Sequence, residues 1–146
     1  MQVEIKIDSA YADPKVMILT AAMTDEVNRI VKRLSEEYPR MLSGIRDDKL
    51  ELLKQEELIR IYTHSGKVYA VTDKGEYVVR RRLYELEGQL DNGCFVRISN
   101  SEIINLKKVE YFDLSFTGTI CVKLSDYTST YVSRRYVSKI KSVLGI

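Results

Sequence analysis

Residues 97–101 bring together short polar side chains that suit recognition of another molecule. The amide of Asn100 can donate and accept hydrogen bonds in the pattern that matches the N6 and N7 edge of adenine. The same amide also suits a turn in which an asparagine binds its own backbone. Ser99 and Ser101 fit the shaping of a loop, or a phosphate contact, better than base reading. The stretch predicts a presented polar loop, with two interpretations open for Asn100.

Arg97 lies in the same stretch and alternates with apolar residues, as in a strand. Two roles are open for it. Its guanidinium can reach a phosphate, or its stem can pack while its charge pairs with Glu85 or Glu87.

Arg134 and Arg135 follow Ser133, which can cap the start of a last helix. Cations in the first helical turn oppose the helix dipole and cost from a few tenths to about 1 kcal/mol when exposed. Two arginines that accept this cost indicate an anion outside the protein, and the helix amides would face the same phosphate.

Catalytic and metal-binding patterns are absent from the sequence. His64 is the one histidine and adjoins a Ser-Gly turn, while Cys94 and Cys121 are isolated and fit reduced, partly buried thiols. The sequence contains no phosphate-binding glycine loop, nucleophile elbow or dinucleotide motif. We therefore expect no enzyme activity, no metal and no small-molecule cofactor.

Charge is spread unevenly along the chain. Residues 1–45 hold six Lys/Arg and seven Asp/Glu, whereas residues 46–146 hold seventeen and fourteen. A modest basic face is compatible with phosphate contacts, although a solvated surface is the commoner explanation of such charge. The N-terminus does not resemble a signal peptide, and no apolar run reaches the length of a membrane span, so a cytoplasmic protein is expected.

The elements that must position these residues fall into two parts. Residues 1–41 predict a β–β–α appendage: a strand in 2–8, a second strand after Pro14, and a helix that Thr24 caps and Pro39 stops. Residues 42–146 alternate short strands with turn signals and contain two helical segments, 81–90 and 134–145. The expected fold is α+β and mostly β, with antiparallel sheets and short helices.

Several segments occur in an order that resembles the LytTR family of bacterial DNA-binding domains. "LYELEGQL" is followed by "FVRISNSEIINLKKVEYF", then by the hairpin "GTICVKLSD", and finally by "TYVSRRYVSKIKSVLG". The resemblance covers about residues 45–146. The positions that match the family pattern are Phe95, Arg97, Ser99, Asn100, Ser101, Ile103, Ile104 and Asn105, then Ser133, Arg134, Arg135 and Tyr136.

The resemblance implies a transcription regulator whose loops, not a recognition helix, enter the major groove of double-stranded DNA, commonly as a dimer. It also implies DNA contact from the loop after "LIRIYTH", where Gly66 stands at the aligned position and His64, Ser65 and Lys67 can substitute. Within the motif we favour DNA contact over a self-bonded turn for Asn100, and we expect Arg135 to read a base and Arg134 to contact the DNA backbone. The chain looks like the small stand-alone members without a receiver domain, which often have a membrane protein as regulator. The alternative is a protein-interaction module that binds such a membrane-bound partner.

Overall fold

A computed structural model describes residues 1–35 and 41–146 of the chain. The chain divides into two compact units, Met1–Glu36 and Glu37–Ile146. No helix in the described ranges is long and apolar enough to cross a membrane.

The N-terminal unit contains one helix, α1 (Asp25–Ser35). Thr24 caps it as predicted, because its Oγ1 accepts a hydrogen bond from the Val27 amide at 3.2 Å. The predicted stop at Pro39 lies outside the described residues. The two strands predicted before the helix stay a prediction, since residues 1–24 form no strand in the single chain. Alternation produces a two-faced segment, but a strand also needs a neighbour with which to exchange backbone hydrogen bonds.

The second unit contains ten strands and two helices in two antiparallel sheets. The larger sheet has seven strands in the order β2-β1-β5-β4-β3-β7-β6, and the smaller has the order β10-β9-β8. The elements are β1 (Met41–Arg46), β2 (Lys49–Lys54), β3 (Arg60–His64), β4 (Lys67–Thr72), β5 (Gly75–Val79), α2 (Leu83–Gln89), β6 (Phe95–Ser99), β7 (Glu102–Asn105), β8 (Val109–Asp113), β9 (Ile120–Leu124), β10 (Ser129–Val132) and α3 (Arg134–Leu144).

This architecture confirms the expected fold class of antiparallel sheets with short helices. Strand β1 was missed in the sequence, where Ser43 and Gly44 interrupt the apolar pattern. Gly44 is required by packing, because a Cβ at this position would lie 2.7 Å from both Leu53 Cδ1 and Tyr77 Cβ. That constraint comes from a distant strand and leaves no local signal.

Two hydrophobic cores hold the second unit together. One contains α2 and the strands that α2 covers, with Leu86 and Ile61 fully buried. The other joins the end of the large sheet to the small sheet and α3, with Ile98 and Ile140 fully buried. Strand β6 contributes Phe95 to the first core and Ile98 to the second. The segment that carries the predicted polar loop is therefore anchored in both cores.

Candidate nucleic-acid interface

Three predicted segments meet at one end of the seven-stranded sheet. Strand β3 runs to this end, and β7 starts there in antiparallel register, with Tyr62 opposite Glu102. The Thr63 amide donates to the Ser101 carbonyl at 2.9 Å, which joins the 64–67 hairpin to the 99–101 turn. The Ser133 amide donates to the Ile98 carbonyl at 2.9 Å, which brings the start of α3 beside the same turn. Backbone hydrogen bonds thus fix the relative positions of all three segments.

Ser99 and Ser101 shape the turn between β6 and β7. The Ser101 amide donates to Ser99 Oγ at 3.2 Å, and the two hydroxyl oxygens lie 3.2 Å apart. The pairing of β6 with β7 shifts register between Arg97 and Ser99, as in a β-bulge. A bulge bends the strand and redirects its side chains, so the broken alternation in the sequence corresponds to a real irregularity.

Arg97 holds this turn closed from inside. Its Nε donates to the Ser99 carbonyl at 3.0 Å, and its Nη2 donates to the Asn100 carbonyl at 2.7 Å. Nη1 pairs with Glu87 Oε2 at 2.9 Å, and the Arg97 side chain is only 15% exposed. Of the two roles left open, pairing with Glu87 is present, whereas Glu85 faces Arg81 at 4.0 Å. The planar guanidinium acts as a fork that links α2 to the turn.

Asn100 stands exposed at the tip of the turn. Its backbone carbonyl is held by Arg97, and its Oδ1 accepts a hydrogen bond from the Tyr136 hydroxyl at 3.2 Å. The side chain does not bond its own backbone within the described structure, which removes the evidence for a self-bonded turn. Its amide NH₂ has no protein partner among the described residues and remains able to donate outward.

Arg134 and Arg135 are exposed in the first turn of α3. Neither forms an ion pair with any residue in the described ranges, and no acidic residue lies in that first turn. Ser133 occupies the predicted N-cap position, but its side chain makes no capping hydrogen bond. The start of α3 therefore presents two cations and uncapped amides, an arrangement that favours an anion.

His64 and Lys67 flank the two-residue turn between β3 and β4 and are both exposed. Ser65 and Gly66 have φ values of 49° and 75°, as a type I′ hairpin turn requires. This confirms the predicted turn and places both side chains at the end of the sheet that carries Asn100. No hydrogen bond joins either side chain to Asn100 or to the start of α3 within the described residues.

A buried charged group lies directly beneath the turn and was not anticipated from the sequence. Glu102, which is 7% exposed, accepts from Arg60 Nη1 at 2.9 Å and from the Thr130 hydroxyl. Arg60 also lies over the Tyr62 ring, 4.5 Å from its centroid. These contacts connect β7, β3 and the small sheet under the turn. The sequence gives no local signal for the burial of Glu102, because its partners are 42 and 28 positions away.

Tyr136 is the second residue that sequence reasoning missed. The family pattern fixes no residue type at this position. The third residue of a helix also gives no local signal of a partner 36 positions away. Asn105, by contrast, is structural as its burial pattern suggests. It is 1% exposed, and its amide donates to the Leu58 carbonyl at 2.8 Å.

The arrangement can form directional hydrogen bonds and pair with anions, but it has no grouping for metal chemistry. Among the described residues, no three His, Cys, Asp or Glu side chains come close enough to hold a metal ion. The exposed groups at this end of the sheet include one amide, two guanidiniums, one ammonium, one imidazole and the hydroxyls of Ser65 and Ser101. Such a set suits phosphates and base edges.

Comparison with known proteins agrees with this geometry. Residues 48–145 match the model of the LytTr DNA-binding domain. The structure is similar to the LytTr DNA-binding domain of a protein described as a methyl-accepting/DNA response regulator from Bacillus cereus. The TM-score is 0.71 at 18% identity, and the match covers 73% of this chain and 98% of that one.

Two relatives from Staphylococcus aureus, strains MSSA476 and N315, are each 31% identical over 147 residues. Each match covers 100% of this chain and 99% of the relative, and both relatives are described as uncharacterized HTH-type transcriptional regulators. In this chain, α2 and α3 are separated by five strands, so the described residues contain no helix-turn-helix. The family is one of DNA-binding domains and not of enzymes, as expected. The chain belongs to the LytTR family of DNA-binding domains.

Proposed function

We propose that this chain is a transcription regulator that binds double-stranded DNA in a sequence-specific manner. The observation that carries the proposal is the convergence of the 64–67 hairpin, the 99–101 turn and the start of α3 at one end of the large sheet. We call these three segments the reading edge. The names of the Staphylococcus aureus relatives support a role in transcription.

Base reading is assigned to Asn100 and Arg135. The Tyr136 hydroxyl occupies one lone pair of Asn100 Oδ1, which leaves the second lone pair and the amide NH₂ for the N6 and N7 positions of adenine. Arg135 carries a fork of donors that matches the O6 and N7 positions of guanine. Both side chains are exposed, and Arg135 directly precedes Tyr136, whose hydroxyl donates to Asn100 Oδ1.

Backbone contact is assigned to Arg134, His64 and Lys67. Arg134 lies beside the uncapped amides of α3, where a phosphate would receive hydrogen bonds from both. The hairpin residues are displaced from α3 along the end of the sheet, so they can meet a neighbouring groove or its phosphates. Ser99 and Ser101 hydrogen-bond to each other, which supports a positioning role for them.

We assign Arg97 to holding the 99–101 turn in place and not to contact with a DNA phosphate. Three of its donors already serve Glu87 and the two carbonyls of the turn. A phosphate would have to compete with an ion pair at 2.9 Å whose arginine is mostly buried. The predicted phosphate contact of Arg97 is therefore the weaker of its two interpretations.

Binding as a homodimer is part of the proposal, because family members commonly occupy repeated sites. A membrane-bound regulatory partner stays a prediction, and no described contact favours it over DNA.

The test is selection of bound duplexes from a random pool by the purified full chain, followed by titration of the selected site. We expect a preferred sequence and an affinity that falls steeply with salt, because phosphate contacts release counterions. Arg134→Ala should reduce the salt slope by about one and weaken all duplexes alike. Failure to enrich any duplex at low salt would overturn the proposal and favour the interaction module.

A further inference from the structure

The N-terminal segment 3–8 carries an apolar stripe that nothing in the described structure covers. Val3, Ile5 and Ile7 are 81%, 84% and 95% exposed. They alternate with charged residues, as in a half-buried strand. Yet the segment belongs to neither sheet. It has the sequence of a strand without the partner that a strand requires.

Strand β2 offers the complementary feature. It is an edge of the seven-stranded sheet, paired with β1 on one side only. Leu50 and Leu52 point to the same face of the sheet and are 64% and 63% exposed. Lys49 and Glu51 alternate with them and are also exposed. A six-residue edge with exposed leucines is a template for the addition of another strand.

One antiparallel register matches the two segments at four of the six residues of β2. With Lys6 opposite Glu51, apolar residues face apolar residues and charges face opposite charges: Ile5 with Leu52, Ile7 with Leu50, Lys6 with Glu51, and Asp8 with Lys49. Opposite residues in antiparallel strands point to the same face, so these four pairs would be in contact. A shift by two residues places Glu4 opposite Glu51 and Lys6 opposite Lys49, which like-charge repulsion disfavours.

We propose that residues 3–8 of one chain add to the β2 edge of a second copy, so that two chains exchange N-terminal strands. Residues 3–8 carry no strand pairing in the described structure, and strand β2 is paired on one side only. A second copy presents the same free strand and the same free edge. Reciprocal exchange around a two-fold axis therefore satisfies both edges at once. The inference supplies an interface for the homodimer in the proposed function, and it depends on the homodimer alone.

The edge that would receive the strand is far from the Asn100 turn in the strand order of the large sheet. Strand β2 and strand β6, which leads into the Asn100 turn, are at opposite ends of the strand order of the seven-stranded sheet. Addition of a strand beside β2 extends the sheet away from β6. The exchange therefore does not require any residue of the reading edge.

The first experiment is disulfide cross-linking of the full chain without DNA. Lys6→Cys combined with Glu51→Cys places two thiols on opposite residues. We expect a covalent dimer on a non-reducing gel after mild oxidation. Lys6→Cys alone controls for the native thiols, Cys94 and Cys121, which are half-buried. Glu4→Cys with Glu51→Cys tests the shifted register and should cross-link several-fold less.

A charge exchange supplies an independent measurement by sedimentation equilibrium. Lys6→Glu alone, or Glu51→Lys alone, should raise the dimer dissociation constant by about tenfold, since each introduces like-charge pairs at both ends of the dimer. The combined variant should restore the original constant. A cross-link within one chain, or a monomer unaffected by all variants, would overturn the proposal. Since both experiments omit DNA, their results are independent of whether Asn100 and Arg135 read bases.

Discussion

At the scale of the residue, the reading edge depends on side chains that hold other side chains in place. Tyr136 supports the Asn100 amide through a 3.2 Å hydrogen bond, and Arg97 closes the turn through two carbonyls. Glu87 accepts from Arg97 and also faces Lys139 at 3.8 Å, which connects α2, β6 and α3. Three elements, α2, β6 and α3, therefore hold Asn100 in its orientation.

Tyr136→Phe removes the hydroxyl and leaves the ring. We expect discrimination between the selected site and scrambled DNA to fall by about 1 kcal/mol, because the amide of Asn100 loses one neutral hydrogen bond. Competition binding at constant salt measures this. Tyr84→Phe, which alters an exposed tyrosine of α2, is the matched control. In a double-mutant cycle the change should add nothing to Asn100→Ala; full additivity would contradict the positioning role.

Arg97→Lys separates the two roles of Arg97. Lysine keeps the charge that a phosphate needs, but it cannot form the fork to Glu87 and the turn carbonyls. We expect the free energy of unfolding to fall by about 1–3 kcal/mol, measured by urea denaturation. Arg81→Lys is the control, since its exposed pair with Glu85 should change stability by less than about 0.5 kcal/mol. Unchanged stability of Arg97→Lys would favour the phosphate role.

At the scale of the element, local patterns predicted the second unit well. Alternating apolar residues and turn signals identified strands β2 to β5, and the leucine spacing identified α2. Strand β1 was missed because Gly44 is required by close packing against Tyr77 on another strand, and the residues next to Gly44 in the sequence do not show this. The strands predicted near the N-terminus are not formed in the single chain, and alternation in 2–8 carries no information about a partner.

The candidate site shows the same division between local and distant information. The positions of Asn100, Arg134 and Arg135 follow from turn and helix signals in the sequence. Tyr136 and Glu102 act through partners far along the chain, so their roles become visible only after folding. Whether the predicted DNA-contact residues bind DNA stays a prediction.

The 64–67 hairpin gives a prediction about backbone conformation. Gly66 has a φ of 75° with no atom near the position of an added Cβ, so Gly66→Ala should cost about 1 kcal/mol from backbone strain alone. Gly88→Ala is the matched control, because Gly88 lies in α2 with equally open space and should gain up to about 1 kcal/mol. Thermal unfolding of both variants measures the difference. Equal effects of the same sign would contradict the assigned turn.

Tyr62 on β3 predicts that the stability of the protein depends on pH in the alkaline range. Burial, with the hydrogen bond to Glu76, raises the pKa of Tyr62 from its ordinary value of 10.0 to about 12. The folded state holds this proton more tightly than the unfolded state, so the contribution is complete below pH 10 and is lost as pH rises through about 12. Tyr62→Phe should therefore lose less stability than the parent chain across this range, as measured by urea denaturation. Parallel curves for the two chains would contradict the effect.

At the scale of the whole molecule, the two ends of the large sheet have different assignments. The β3–β4 hairpin, the β6–β7 turn and the start of α3 form the reading edge, and the free side of β2 is proposed to receive a strand from a second copy. A dimer of this kind would place two reading edges on one assembly, which suits repeated DNA sites. Specificity and self-association would then be separable by mutation.

The central claim is that the 99–101 turn and the start of α3 read bases. The most direct measurement is the difference in binding free energy between the selected site and scrambled DNA, for the parent chain and for Asn100→Ala and Arg135→Ala. We predict a loss of about 1–3 kcal/mol of discrimination for each variant. Asn92→Ala and Lys141→Ala, which alter exposed residues of the same types of charge and polarity elsewhere, should retain it. Full discrimination in Asn100→Ala and Arg135→Ala would contradict the claim.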